Sequence, residues 1–189
     1  MAVKLHLVRH GPTHAKTMTG WTDLPADLSD TAALARLAAH LPDAPVLSSD
    51  LCRAVTTADA IAGPRPRLPP DPALREIHFG DWEGRTFTQA EADTPALIRA
   101  FWETPGAASA PGGESWDDLT RRVWSWADAQ TPGAPLIVVA HFGPILALLQ
   151  RALNITAGQV FAHKIDNLSV TEVTNTPAGW TTGRINHRP

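Results

Sequence analysis

Leu5-His6-Leu7-Val8-Arg9-His10-Gly11-Pro12-Thr13 is the stretch whose reading decides the fold. An apolar run stops abruptly at a cation, an imidazole and a glycine, the pattern of a buried strand that delivers polar groups at its carboxyl end. In an open α/β sheet that end is where ligands sit. Arg9 offers a rigid fork of donors suited to phosphate or carboxylate, and His10 can act as nucleophile or proton carrier near neutral pH. Gly11 lets the backbone pass close to a ligand. Taken alone, the triplet is better read as a surface strand end carrying two basic residues. The rest of the chain decides.

The same design recurs late in the chain. Leu136-Ile137-Val138-Val139-Ala140 is apolar at every position, which predicts a central strand covered on both faces. It ends in His141-Phe142-Gly143-Pro144, after which Ile145, Leu146, Leu149 and Leu153 mark a helix with Pro near its start. If strands 3–9 and 136–141 are neighbours, the imidazoles of His10 and His141 come face to face.

Between them the chain alternates strand and helix, the βαβ rhythm. Residues 12–29 read as a loop over the first strand's end, with Gly20-Trp21-Thr22 placing an aromatic wall beside the opening motif. Ser29 or Asp30 caps a helix with Ala33, Leu34, Leu37, Ala38 and Leu41 on one face, and Pro42 stops it. Val46–Ser49 is a second strand; Ser49 or Asp50 caps the next helix, whose stripe is Leu51, Ala54, Val55, Ala58 and Ile61. Arg53 lies in that helix's first turn, off the stripe. It reads equally as a solvated arginine and as a fork added to the anion-favouring helix start. Cys52 beside it reads as a packing residue. Residues 63–72, rich in Pro and Arg, form a linker or edge element.

Leu74 to Gly84 threads acids between apolar and glycine positions. Solvation is the usual role for such acids, but one held in a partly apolar pocket can carry a raised pKa and donate a proton. Glu76 and Glu83 are the candidates. Short amphipathic pieces around Ala96–Ile98 and Phe101-Trp102 suggest a helical cap, about residues 85–113, over the strand ends. Ser115 and Asp118 resemble a capping box for a helix that buries Trp116, Leu119 and Val123. Ser169–Val173 and Trp180–Ile185 supply one or two edge strands.

Composition narrows the function. A length of 189 residues fits one domain, residues 1–189, able to bury roughly 70% of its unfolded surface. A net charge of −3 advertises neither nucleic acid nor an anionic membrane, so any anion site is local. The single cysteine, Cys52, excludes a disulfide framework and a Cys-rich zinc site and is compatible with a reducing cytoplasm. No signal peptide is read at the start, and no apolar run approaches the ~18 residues of a membrane span.

Two Arg, two His and one carboxylate at loop or helix starts after strands make a site for phosphoryl transfer without a metal or cofactor. The arginines and one histidine would neutralise phosphate oxygens, the other histidine would attack phosphorus, and the acid would protonate the departing oxygen. The set Leu7-Val8-Arg9-His10-Gly11-x-Thr13, Ser48-Ser49-Asp50-Leu51-x-Arg53-Ala54-x-x-Thr57-Ala58, Leu74-x-Glu76-x-x-Phe79-Gly80-x-Trp82-Glu83-Gly84, Pro111-Gly112-Gly113-Glu114-Ser115 and Val138-Val139-Ala140-His141-x-Gly143 resembles the histidine phosphatase superfamily, the phosphoglycerate-mutase-like proteins. The motifs stand in the family's order from residue 5 to about 150.

That resemblance implies an α/β three-layer sandwich, with a mostly parallel central sheet, helices on both faces and the small cap. It implies His10 as the nucleophile that becomes a phosphohistidine and Arg9, Arg53 and His141 as the phosphate pocket. Glu76 takes the proton donor's place, and Thr13 a position that helps hold phosphate. Gly11, Phe142 and Trp21 border the substrate; Glu83 is structural. Two positions depart from the pattern. Phe142-Gly143 replaces the frequent Gly-Gly and narrows the entrance, and Lys16 stands where Asn is common. Hydrolysis of a small soluble phosphate ester by a monomer or homodimer is the expected activity, because Arg99 is the single cation between Arg85 and Gly113, too few for a mutase's second phosphate. Mutase chemistry and a phosphate-binding protein with little turnover are the alternatives.

Overall fold

The computed structural model describes residues 2–131 and 133–189. Five strands form one sheet in the order β2-β3-β1-β4-β5. They are β1 (Val3–Arg9), β2 (Val46–Ser48), β3 (Leu136–Ala140), β4 (Val170–Thr176) and β5 (Gly179–Thr182). β1 and β2 both pair in parallel with β3, in registers that set Arg9 opposite Ala140 and Ser48 opposite Val139. His10 and His141, each one residue past its strand, therefore emerge side by side.

Side-chain alternation along the strands builds two cores. Leu5, Leu7, Val138 and Ala140 face one layer, whereas Val8, Ile137 and Val139 face the other. The first layer holds α5 (Trp116–Asp128) and α6 (Phe142–Leu153); the second holds α1 (Thr31–His40) and α2 (Cys52–Ala62). Helices thus cover both faces of a mixed sheet. α3 (Phe87–Asp93) and α4 (Pro95–Glu103) form the expected helical segment, packed through Phe101 onto Phe79 and Trp82. Among the described residues the remaining α-helix is α7 (Ala157–Val160), and Pro72–Leu74 and Gly80–Trp82 form 3-10 turns.

Local chemistry explains most boundaries. Asp30 caps α1 by accepting from Ala33, and Ser115 and Asp118 make the expected reciprocal capping box on α5. Two expectations are corrected. Neither Asp50 nor Ser49 caps α2: Asp50 is drawn into a two-bond ion pair with Arg75, and the amide of Cys52 instead donates to Asp23 Oδ1 at 2.7 Å. β4 is an interior strand, because β1 pairs with it antiparallel from Val3 to Val8 and only β5 is left at that edge. Residues 66–68 act as an edge element, as expected, exchanging backbone hydrogen bonds with Val46 beyond β2.

Candidate active site

The two imidazoles meet with ring centroids 4.9 Å apart and planes tilted by 59°. His10 is fixed through its backbone, its N–H donating to Ala140 and its carbonyl accepting from the Asn167 side-chain amide at 2.7 Å. Its ring Nδ1 lies 2.6 Å from the carbonyl oxygen of Gly11. A carbonyl can only accept, so Nδ1 carries the hydrogen and Nε2 keeps a free lone pair. Burial, opposed by that carbonyl and reinforced by the charges of Arg53 and Arg9, pushes the His10 pKa down to about 3. The imidazole is a neutral base at neutral pH.

His141 holds the opposite tautomer. Its Nδ1 accepts from Arg53 Nε at 3.2 Å, so the hydrogen sits on Nε2. Burial above all, then the neighbouring His10, Arg53 and Arg9, holds it well below the ordinary imidazole range. Among the described residues, His141 Nε2 and Arg9 Nε are the two buried side-chain polar atoms without a hydrogen-bond partner. Leaving a buried donor unpaired costs roughly 1–3 kcal/mol. An anion with several acceptor oxygens matches both donors.

The two arginines are held differently. Arg9 donates through Nη1 to Ile165 at 2.6 Å and lies over the Phe142 ring, 5.4 Å from its centroid. Arg53 is 1% exposed, which rules out the reading as a solvated arginine. Its Nη1 and Nη2 donate to the carbonyls of Thr22 and Gly20, at 2.8 and 2.5 Å. Carbonyls do not cancel a formal charge, so both guanidinium groups keep a positive field at the site.

Glu76 completes it. Its Oε1 accepts from the amides of Ile77 at 2.9 Å and Gly143 at 3.0 Å. Burial of the carboxyl raises its pKa, and those amides with the charges of Arg53 and Arg9 offset only part of the rise. A Cβ on Gly143 would run into this carboxyl, so the glycine at the start of α6 is what admits it.

The other sequence-predicted residues make the following contacts. Thr13 is half-buried and its hydroxyl accepts from Ala15 at 3.5 Å. Trp21 donates to the backbone carbonyl of Glu76 at 2.8 Å, and its ring packs on His78 and Arg75. Gly11 is needed for the loop behind it, since a Cβ there would strike Leu28; its amide donates to Thr57 at 3.0 Å. Lys16 is exposed. His14 pairs with Asp27, His6 lies against Glu172, and His40 stacks on His187.

A supporting frame is built from residues that carry no residue-type signature. Glu83, already read as structural, accepts from the amides of Gly20, Trp21, Thr22 and Phe79 and from the Thr22 hydroxyl. It thereby shapes the loop whose carbonyls grip Arg53. Arg122 donates to the carbonyls of Ala73, Arg75 and Glu76 while pairing with Glu114, whose Oε2 also accepts from the His78 amide. This pair clamps the strand-like segment that presents Glu76. Sequence reasoning missed Arg122, Glu114, Asn167 and Asp23, although Glu114 lies inside one of the quoted motifs.

Two facing neutral histidines just past parallel strands, with buried Arg53, half-buried Arg9 and Glu76 beside them, mark one end of the sheet of an α/β protein. The chain belongs to the histidine phosphatase superfamily (branch 1), whose model matches residues 5–188. It is 35% identical over 173 residues to a glucosyl-3-phosphoglycerate phosphatase of Mycobacterium tuberculosis, covering 82% of this chain and 77% of that protein. It is 31% identical over 178 residues to an adenosylcobalamin/alpha-ribazole phosphatase of Salmonella typhimurium, covering 87% and 86%. Among solved structures, YhfR of Bacillus stearothermophilus superposes with a TM-score of 0.88 at 25% identity, covering 97% and 96% of the two chains. The chain spans about half the length of three mycobacterial relatives that it matches at 34% identity. Among the described residues no group of three or more His, Cys, Asp and Glu gathers to hold a metal ion, and no helix is long and apolar enough to cross a membrane.

Proposed function

We propose that the protein is a phosphomonoesterase that passes through a phosphohistidine at His10. The observation that carries this reading is the tautomer of His10: Nδ1 is tied to Gly11, so Nε2 presents its lone pair to the donor-rich site. Arg9 Nε and His141 Nε2 donate to the phosphate oxygens, while Arg53 fixes the His141 tautomer and adds charge. Nε2 of His10 attacks phosphorus, the N–P bond forms, and the P–O bond to the alcohol breaks. Glu76, its pKa raised by burial, gives its proton to the departing oxygen. Water then attacks the phosphohistidine and returns a proton to Glu76, releasing inorganic phosphate and free His10. Every group in this cycle is a side chain of this chain, with no metal or cofactor taking part.

Hydrolysis is preferred to a mutase reaction on a specific contact. The cap over residues 85–113 carries two cations and both are engaged: Arg99 spends Nε and Nη2 on Glu91 at 2.9 and 2.7 Å, and Arg85 pairs with Asp93, so neither is free for a second phosphate. The named phosphatases among the relatives support a small phosphate ester as substrate. A net charge of −3 argues against a nucleic-acid partner, and the lone Cys52 favours a reducing, cytoplasmic setting for a monomer or homodimer. The test is hydrolysis of p-nitrophenyl phosphate by His10→Ala. Loss of turnover in a folded variant is expected, and retained turnover overturns the proposal.

A further inference from the structure

An apolar cavity, open to solvent, adjoins Glu76. The rings of Phe79, Phe101, Trp102, Trp116, Phe142 and Phe161 line it, and Glu76 is the one ionisable side chain in its wall. The aromatic wall is built from two ring clusters: Phe161 lies 4.7 Å from Trp116 and 6.5 Å from Phe142, and Trp102 lies 6.0 Å from Phe79. Phe142 belongs to both regions, since it lines the cavity and carries Arg9 over its ring.

This arrangement orders the substrate. Phosphate sits with Arg9, His10 and His141, and the oxygen that Glu76 protonates must lie at the border between the two regions. The group attached to that oxygen then enters the aromatic cavity. A carboxylate there would meet no cation in the wall and would face Glu76, and hydroxyl groups would lose water without gaining partners. An apolar or aromatic group gains from burial. Trp102, 39% exposed on α4, closes one side and would itself be covered by such a group.

We infer that the cavity is the leaving-group site and selects an uncharged apolar or aromatic alcohol. The preferred substrate class is therefore a hydrophobic phosphomonoester rather than a phosphorylated hydroxy acid or polyol. This inference rests on the phosphatase reading above and adds the chemistry of the alcohol.

The test compares benzyl phosphate with glycerol 3-phosphate and 3-phosphoglycerate, all esters of alkyl-type alcohols, after p-nitrophenyl phosphate has established turnover. Benzyl phosphate is expected to lead both in kcat/KM by about 100-fold, or ~2.7 kcal/mol at ~1.36 kcal/mol per tenfold. That is within the range for burying an aromatic side chain. Trp102→Ala should shrink the benzyl-to-glycerol ratio about tenfold, and Trp102→Lys should raise the relative rate on 3-phosphoglycerate about tenfold. Equal or faster turnover of the polar esters, or a benzyl-to-glycerol ratio unmoved by Trp102→Ala, overturns the inference while leaving the phosphatase reading intact. If no ester is hydrolysed, the phosphatase reading fails, and calorimetry with two phosphonates judges the cavity separately. Tighter binding of benzylphosphonate than of 2-carboxyethylphosphonate supports it, and the reverse overturns it.

Discussion

Glu83→Gln changes one oxygen to an NH2 group and should disturb both stability and catalysis. Five donors converge on this carboxylate. Oε1 accepts from Trp21 at 2.7 Å and Phe79 at 3.1 Å, and Oε2 from Gly20 and Thr22 amides at 3.1 Å and from the Thr22 hydroxyl at 2.5 Å. Whichever way the amide turns, its NH2 faces at least two N–H groups. Hydrogen bonds to a charged group are worth roughly 1.5–3 kcal/mol each. Losing two, with some relaxation of the loop, gives about 3 kcal/mol, or a fall in Tm of roughly 6–12 °C for a chain of this size. The same loop supplies the Gly20 and Thr22 carbonyls that hold Arg53, so kcat/KM should drop about 10- to 100-fold through misplacement. Thermal melts and steady-state hydrolysis of p-nitrophenyl phosphate read the two effects. Burial pushes the Glu83 pKa up, but the Thr22 hydroxyl and the backbone amides outweigh it and leave the pKa below its ordinary value. Its stabilisation is thus present above the unfolded-state pKa and fades as pH falls through the lower folded value, and the variant should lack that dependence. A variant that melts within about 2 °C of the parent and keeps its kcat/KM would refute the role assigned to Glu83.

Three further outcomes follow from the site. Glu76→Gln can keep both amide bonds through its carbonyl oxygen, so it should fold, lose the alkaline limb of the pH–rate profile, and slow alkyl phosphates far more than p-nitrophenyl phosphate. Because burial raises the Glu76 pKa, the wild type carries a buried charge only above that pKa, so the variant's Tm advantage should grow with pH and vanish in acid. With the His10 pKa near 3 in the folded state, the unfolded chain binds the extra proton first, so His10 alone should lower stability by about 1.4 kcal/mol per pH unit below ~6.5, with His141 steepening the fall. Denaturant titrations of His10→Ala should show a shallower acid slope. Gly143→Ala places a methyl against the Glu76 carboxyl and should cut kcat/KM for alkyl phosphates about 100-fold, with little loss for p-nitrophenyl phosphate. Equal losses on both substrates would show that the acid is not what moved.

Much of this site could be read from residue types alone. Arg9-His10-Gly11 and His141-Phe142-Gly143 each close an apolar run, and the run's period and length place each at a strand's carboxyl end. Parallel pairing of β1 with β3 then does the rest. Arg53 could not be settled that way, because its helical position off the apolar stripe is that of a solvent-facing residue; only the loop at residues 20–22, more than thirty residues upstream, buries it. Arg122 and Glu114 were silent for a related reason. They act on backbone carbonyls and amides of residues 73–78, and backbone groups leave no residue-type pattern to match. The same holds for Asn167 under His10 and for Asp23 at the start of α2. β4 reads as an edge from its sequence because its place depends on β1 accepting a partner on its second side, which local alternation does not encode.

The central claim is covalent chemistry at His10, and one measurement bears on it directly. Rapid acid-free quenching during turnover of p-nitrophenyl phosphate, followed by peptide mass spectrometry under alkaline conditions, should find an acid-labile, base-stable phosphoryl group on His10 Nε2. A label on another residue, or none while p-nitrophenol is released in a burst, would contradict the account.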